Sequence, residues 1–222
     1  MSLKRILEPE VMDTERDAAE YDTMDFVEVN QAFAQRALEL APPSGRVIDL
    51  GTGTARIPLL MLQLGKKDLR IHALDLSGEM LKVAKRNLEL ARLTDRIKLH
   101  LADAKDLPFF NGEFDMGISN SLAHHIPEPG VIFMEMARVV KSGGAVFLRD
   151  LLRPESVREV NRIVSTYAAG ADEHQRKLYR DSLYASLTLD EVEAYVREAG
   201  LKGATVLQSS DRHWSVERPA AP

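Results

Sequence analysis

Residues 47–53 read Val-Ile-Asp-Leu-Gly-Thr-Gly, and this stretch decides the fold. An apolar run containing Asp49 breaks into the turn Gly51-Thr52-Gly53, which a helix-like stretch follows over residues 54–64. Glycine adopts positive φ and lets a ligand approach the backbone closely, while a helix N-terminus offers N–H groups that have no intrahelical partner. The stretch therefore predicts a strand, a tight ligand-binding turn and a helix.

The residues around this turn separate two kinds of nucleotide site. A dinucleotide fingerprint needs Gly-x-Gly-x-x-Gly, and Arg56 stands where the third glycine belongs. Asp49 would repel a pyrophosphate but can pair with an ammonium group. These residues favour a nucleoside ligand with a cationic amine over a nicotinamide or flavin. The alternative for Asp49 is that it simply caps the turn.

Two further acids follow apolar segments in the same way. Residues 70–76 read as a strand that reaches Asp75, and residues 97–102 read as a short alternating strand that stops at Asp103-Ala104. The carboxylate of Asp75 can accept hydrogen bonds from both hydroxyls of a ribose. Asp103, an acid beside the small residue Ala104, suits an adenine. Each acid alone is typical of a strand-end loop. Three acids closing three successive strands indicate one nucleoside site.

Strands and helices alternate through the first two-thirds of the chain. Ser77 is a suitable N-cap for a helix, and a fourth strand, a helix over residues 131–140 and a fifth strand over residues 145–148 follow, with Gly143-Gly144 as a break. Such repeats predict an α/β fold with a doubly wound, mostly parallel sheet and a ligand at the carboxyl ends of its strands. Further on, Thr188 to Glu191 reads as a capping box, Gly200 as a helix stop, and residues 204–208 and 212–217 as two strands.

Composition favours one compact enzyme domain. The 222 residues are 45% hydrophobic and 28% charged, and the net charge of −5 gives no general attraction for nucleic acid. The chain has no cysteine, which excludes disulfides, thiolate metal sites and a thiol nucleophile. No apolar run is long enough to span a membrane and no signal-peptide core is visible, so we expect a cytoplasmic location.

At this point the chain resembles the class I S-adenosylmethionine-dependent methyltransferases. The resemblance is closest to the small-molecule subgroup that includes the ubiquinone and menaquinone methyltransferases. The matching segments keep the family's order and spacing over roughly residues 45–150, and they are VIDLGTGTARIPLL at 47–60, HALDLSGEML at 72–81, LADAKDLPF at 101–109, FDMGISNSLAHHIPEP at 114–129 and ARVVKSGGAVFLRD at 137–150.

The resemblance implies a Rossmann-like methyltransferase fold, a seven-stranded sheet with an antiparallel C-terminal strand pair, and S-adenosylmethionine as the cofactor, which becomes S-adenosylhomocysteine. It also implies which residues contact the cofactor. Asp49 and Gly51 are expected near the amino acid part, Asp75 on the ribose, Asn120 and Ser121 at the methionine end, and the other cofactor contacts at Tyr21, Thr52, Gly53, Leu76, Met80, Asp103 and Ala104.

We expect one domain, with residues 45–150 as the cofactor-binding core and residues 188–222 as a C-terminal helix and strand pair. Residues 1–40 read as a helical lead-in, and such a segment covers the cofactor in the resembled enzymes. One face of the lead-in is marked by Phe26, Val29, Asn30, Phe33, Ala37 and Leu40. Residues 151–187 read as a helical insertion over the substrate site. Its apolar stripe either packs in the core or forms a lid that excludes water, and the stripe consists of Val157, Val160, Ile163, Val164 and Tyr167.

Methyl transfer needs an acceptor aligned with the sulfonium, and a base only if the acceptor must lose a proton. His124 is the candidate base, because histidine titrates near neutral pH and this one follows the fourth strand. The alternative is that the pair His124-His125 is structural. His125, Asp150 and Arg153 are candidate substrate residues, although the last two could simply form a surface ion pair. No metal is predicted, because no compact set of oxygen ligands remains.

The sequence therefore predicts in-line methyl transfer to a small-molecule acceptor. The segment Asn120-Ser121-Leu122-Ala123 differs from the Asn/Asp-Pro-Pro-aromatic tetrapeptide of amino-methylating enzymes, which argues against adenine N6 and glutamine amide acceptors. The alternatives are a non-catalytic module that binds the nucleoside and, less favoured, a nicotinamide-dependent reductase. A homodimer is possible, and the acceptor and its methylated atom are not identified.

Overall fold

The computed structural model describes residues 3–8, 14–15, 18, 22, 27–65 and 67–221. Within them, one sheet contains seven strands in the order β3-β2-β1-β4-β5-β7-β6. Strands β1 to β5 pair in parallel, and β7 is antiparallel to both β5 and β6. The strands are β1 Ser44–Leu50, β2 Asp68–Asp75, β3 Ile97–Leu101, β4 Phe114–Asn120, β5 Val140–Leu151, β6 Thr205–Gln208 and β7 His213–Arg218. This confirms the predicted fold class.

Helices lie on both faces of this sheet. They are α1 Val27–Leu40, α2 Arg56–Leu64, α3 Gly78–Ala91, α4 Gly130–Val139, α5 Val157–Tyr167, α6 Glu173–Ala185 and α7 Leu189–Glu198, with a 3₁₀ turn at Ala123–His125. Among the helices of these described ranges, none is long and apolar enough to cross a membrane.

The alternation of side chains along β1 shows how the two faces are built. Val47 enters a buried cluster with residues of α1, α2 and α3, whereas Ile48 and Leu50 enter a second cluster with residues of α4 and α7. Successive residues of a strand point to opposite faces, so Asp49 shares the face of Val47. Both faces of the parallel strands are therefore covered, as this sheet type requires.

The local signals in the sequence define several element ends. The Ser77 side chain accepts a hydrogen bond from the Met80 amide and caps α3. Thr188 and Glu191 form the reciprocal capping box of α7, and Gly200 follows that helix with φ +67°. Helix α2 begins only at Arg56, because Ala55 lies in the left-handed region with φ 60°.

Gly143-Gly144 is not the predicted break before the fifth strand. The strand runs from Val140 to Leu151, and its register against β4 shifts between Phe114 and Met116. A Cβ at Gly144 would lie 2.8 Å from the Asp115 carbonyl oxygen. The glycines thus permit a bulge where two backbones approach closely, and the strand continues through it.

The insertion packs as a third apolar cluster beside the end of β5. Val160, Ile163 and Val164 are buried there with Leu151, whereas Val157 and Tyr167, the outer members of the predicted stripe, are half exposed. On the lead-in face, Phe33, Ala37 and Leu40 are buried, and Phe33 stacks on Phe147 of β5 with ring centroids 4.4 Å apart. Phe26, also on the predicted face, lies outside the described residues.

Candidate functional site

A cavity opens at the carboxyl ends of β1, β2, β3 and β4, where the three successive acids were expected to meet. Its wall contains Gly51, Gly53, Leu74, Asp75, Leu76, Ser77, Met80, Ala102, Asp103, Ala104, Asn120, Ser121, Leu122, His125 and Ile126. Most residues predicted to bind a cofactor are therefore brought together. Asp49 and Thr52 are not part of the wall, and Tyr21 lies outside the described residues.

The glycine turn passes close to the loop that follows β4. Gly51 has φ +70° and Gly53 has φ +54°, values that favour glycine. A Cβ at Gly51 would lie 2.9 Å from Cδ1 of Leu122. The Thr52 amide donates to the Leu74 carbonyl at 2.8 Å, which ties the turn to β2. The backbone thus forms one side of the cavity.

Asp75 connects this turn to the start of α3. Its Oδ2 accepts a hydrogen bond from the Gly53 amide at 2.8 Å, and its Oδ1 accepts one from the Ser77 amide at 2.9 Å. Burial raises the pKa of Asp75, although these backbone donors oppose the shift. A carboxylate has about four lone-pair sites, so both oxygens can still accept ligand hydroxyls.

Asp49 is a buried acid behind the turn. The residue is 2% exposed, and its Oδ2 has no hydrogen-bond partner among the residues that the structure describes. Burial raises the pKa of Asp49 to about 7, and the nearby negative charge of Asp75 adds to the shift. An ionised carboxylate here has no cationic partner among the residues that the structure describes, so the site favours a positively charged ligand group.

The other wall of the cavity comes from the ends of β3 and β4. Asp103 accepts a hydrogen bond from the Lys105 amide at 2.8 Å through Oδ1, and Ala104 beside it is buried. Ser121 has φ 56°, and its amide donates to the Arg149 carbonyl at 2.9 Å. This left-handed residue turns the chain sharply after Asn120.

His124 lies behind this wall. Its Nδ1 is 2.5 Å from Oδ1 of Asp150, its amide donates to Oδ2 of Asp150 at 3.1 Å, and its Nε2 is 3.5 Å from Oε1 of Glu8. Burial alone would lower the pKa of His124, but the carboxylates of Asp150 and Glu8 outweigh it and raise this pKa. His125 is the histidine of the pair that lines the cavity.

Asp150 and Arg153, the other candidate substrate residues, are also buried and absent from the wall. Burial opposes ionisation of Asp150, but the charge of His124 and the hydrogen bonds lower its pKa. Arg153 donates to Glu191 through Nη2 at 2.6 Å, whereas its Nε and Nη1 have no partner within the described ranges. These two residues therefore pair with neighbours, not with each other.

Sequence reasoning missed several residues of this region. The apolar wall residues Leu74, Ala102, Leu122 and Ile126 sit next to the predicted acids or the histidine pair, so their adjacency to strand ends was an available signal. Glu8 reaches the histidine pair from the far end of the chain, and no local pattern indicates it.

Arg56, which occupies the place of the third fingerprint glycine, has a visible contact of its own. Its Nε and Nη2 donate to the two carboxylate oxygens of Asp22 at 2.9 and 2.8 Å. Asn87 of α3 donates to Asp22 as well, at 3.2 Å. The arginine thus fastens the lead-in beside the glycine turn.

Comparison with known proteins finds similarity to methyltransferases. Residues 48–148 match the model of a family described as a methyltransferase domain. The chain is 30% identical over 195 residues to a biotin biosynthesis bifunctional protein of Teredinibacter turnerae. This alignment covers 83% of the chain and 32% of that protein. It is 29% identical over 125 residues to a ubiquinone/menaquinone biosynthesis C-methyltransferase of Geotalea daltonii. That alignment covers 56% of the chain and 53% of the relative.

Solved structures agree on the fold. A methyltransferase from Aquifex aeolicus, described as SAM dependent, superposes with a TM-score of 0.66 at 15% identity, over 94% of this chain and 99% of that one. The two curated relatives are longer, and the chain spans about a third to about half of their length.

Proposed function

We propose that this chain, a member of the class I S-adenosylmethionine-dependent methyltransferases with residues 48–148 as its methyltransferase domain, transfers a methyl group from S-adenosylmethionine to a small-molecule acceptor. The observation that carries this proposal is the presence of two acids, Asp49 and Asp75, beside the glycine turn. Asp75 ties the turn to α3 and faces the cavity, and Asp49 holds a buried carboxylate oxygen without a partner among the described residues.

These acids suit the chemical groups of the cofactor. The raised pKa of Asp49 is the mark of a buried acid that a cation would stabilise, and the amino acid part of S-adenosylmethionine carries an ammonium group. Asp75 has the acceptor capacity for a ribose diol, and Asp103 beside Ala104 suits an adenine. We assign Gly51, Gly53, Leu76, Met80, Asn120 and Ser121 to the same ligand, and Thr52 and Tyr21 remain predicted contacts.

The cofactor supplies a sulfonium methyl group that already carries a good leaving group. The protein then has to hold donor and acceptor in line, with the reacting atoms about 3–3.5 Å apart, and to exclude water. Apolar residues such as Leu122 and Ile126 in the wall support water exclusion. Catalysis here would rest mainly on positioning.

We propose different tasks for the two histidines. His125 lines the cavity and would contact the acceptor. His124, our sequence-based candidate for the base, is buried between Asp150 and Glu8, so we propose that it acts as a positioning residue, with Asp150 orienting it. For Arg153 we propose a structural role, because it pairs with Glu191 of α7. The cytoplasmic location and the homodimer stay predictions from the sequence.

Calorimetric titration tests the cofactor proposal. Removing a hydrogen bond to a charged group costs about 1.5–3 kcal/mol, so Asp75→Ala should weaken S-adenosylmethionine binding roughly 10- to 100-fold. Asp68→Ala is the matched control, because Asp68 begins the same strand and its side chain is 80% exposed. Circular dichroism would check that Asp75→Ala remains folded, and Asp75→Asn would replace it if it does not.

Two results would overturn the proposal. The first is wild-type affinity for S-adenosylmethionine in the folded Asp75 variant. The second is tighter binding of reduced nicotinamide cofactor than of S-adenosylmethionine by the wild type, which would favour the reductase.

A further inference from the structure

Three side chains from two distant parts of the sequence converge behind the cavity wall. Oε1 of Glu8 is 3.5 Å from Nε2 of His124 and 3.0 Å from Nδ1 of His125. All three ligand atoms lie within 4.8 Å of one another. The side chains of Glu8 and His124 are 8% and 5% exposed. Two imidazoles and one carboxylate with ligand atoms this close together form a donor set typical of transition-metal sites.

The spacing of these atoms fits a small tetrahedral ion. With ligand distances of about 2.0–2.2 Å, neighbouring ligand atoms of a tetrahedral zinc site are about 3.3–3.6 Å apart. The separation of Glu8 Oε1 from His124 Nε2 falls in that range, and the separation from His125 Nδ1 is slightly shorter. Small side-chain movements would bring all three donors to bonding distance.

The hydrogen bonding of His125 Nδ1 also supports a ligand at this point. This atom is buried and makes no hydrogen bond with any residue that the structure describes, although a carboxylate oxygen is 3.0 Å away. Buried polar atoms normally have partners. A ring nitrogen with a lone pair directed at a cation would satisfy this position.

The surroundings of the cluster match those of protein metal sites. Metal-binding histidines usually donate their other ring N–H to a carboxylate, which fixes the tautomer and the ring orientation. Asp150 takes that place, with Oδ1 2.5 Å from Nδ1 of His124. The Glu8 carboxylate is in turn held by the Ser182 hydroxyl, which donates at 3.1 Å to Oε2.

We propose that Glu8, His124 and His125 bind a divalent transition-metal ion of the zinc class, with Asp150 as the supporting carboxylate. Three protein ligands leave one tetrahedral position open. Because His125 also lines the cavity, the ion would lie next to the cavity wall. The sequence suggested no metal, since Glu8 is far from the histidine pair in the chain and joins it only in the folded protein.

The competing explanation is an ion-pair cluster without a metal. In that case His124 is a protonated imidazole between Asp150 and Glu8, and Arg5, whose Nη2 donates to the His124 carbonyl at 3.3 Å, is a further cation beside it. Metal binding would then be weak and independent of Glu8. The two explanations differ in a measurement that needs no methyl donor, so this proposal can fail while the proposed function stands.

The experiment titrates the full chain, first treated with a chelator, with Zn²⁺ in a calorimeter and with Co²⁺ in a spectrophotometer. We expect one ion per chain and the intense visible absorption of tetrahedral Co²⁺. Glu8→Gln and His125→Asn should each weaken binding at least tenfold. Asp150→Asn should weaken it about 10- to 100-fold, as for other supporting carboxylates.

His174→Asn is the matched control, because His174 is an exposed histidine on α6 and should not change the affinity. Circular dichroism and thermal unfolding check the fold of every variant. If Asp150→Asn does not fold, Glu8→Gln and His125→Asn decide. The proposal is overturned if the wild type binds no stoichiometric ion, or if Glu8→Gln and His125→Asn bind as tightly as His174→Asn.

Discussion

At the scale of single residues, buried Asp49 is the most specific indication of which chemical group the ligand carries. Burial raises its pKa to about 7, well above the value of about 3.9 for an exposed aspartate. The folded protein therefore favours the neutral carboxyl. Its contribution to stability is fully present below about pH 4 and is lost as the pH rises through about 7. The pKa of Asp75 is raised too, so that residue acts in the same direction.

A comparison of the wild type with Asp49→Asn tests this account. The amide side chain of that variant cannot ionise, so the free energy of unfolding of the wild type should fall relative to the variant between about pH 4 and about pH 7. Denaturant unfolding at several pH values measures the difference. In the wild type, affinity for S-adenosylmethionine should rise over the same range, because the ionised carboxylate pairs with its ammonium group. Parallel pH profiles for the two proteins would contradict the account.

The acids were predictable because each one lies at or just beyond the end of its own strand, and strand ends can be read from local alternation. The contacts of Arg56 and Glu8 could not be predicted in this way. Arg56 binds Asp22, and Glu8 meets His124 and His125, across long stretches of chain. Their partners depend on how the lead-in lies against the domain, which no local pattern encodes.

At the scale of elements, residues 3–8 fasten the start of the chain to the loop after β4. Arg5 donates to the carbonyls of Ala185, Pro127 and Ile126 at 2.6, 3.0 and 2.8 Å, and more weakly to that of His124. The Ile6 amide adds a backbone bond to the Tyr184 carbonyl. One guanidinium therefore joins the end of α6 to the 3₁₀ turn.

Arg5→Ala should destabilise the protein by about 1–3 kcal/mol, because it leaves several partly buried carbonyls without a donor. Lys4→Ala is the matched control, since Lys4 is an exposed neighbour and should change stability by less than about 0.5 kcal/mol. Urea unfolding measures both variants. Equal stability of the two would mean that this segment does not support the loop.

Element types were more predictable than element ends. Capping signals at Ser77 and Thr188 are local, so the starts of α3 and α7 could be read from the sequence. The bulge at Gly143-Gly144 depends on how β5 aligns with β4, and a glycine pair looks the same at a bulge as at a strand boundary. Pairing between strands, not local preference, decides such cases.

At the scale of the whole molecule, the α/β class, the parallel order and the antiparallel C-terminal strands followed from the pattern and from the resemblance. The identity of the acceptor followed from neither. Among the described residues, the cavity wall contains those of the cofactor core and of the loop after β4, and none from the insertion. Acceptor specificity is encoded by three-dimensional shape, for which strand and helix periodicity carries no signal.

The central claim is methyl transfer to a small molecule, and isotope tracing tests it most directly. The protein would be incubated with S-adenosylmethionine that carries a labelled methyl group and with the small-molecule fraction of a cell extract, followed by mass spectrometry. The account predicts a labelled small molecule and an equal amount of S-adenosylhomocysteine, both absent with heat-denatured protein. Tight binding of S-adenosylmethionine with no S-adenosylhomocysteine formed above that background would contradict it and indicate a non-catalytic binding module.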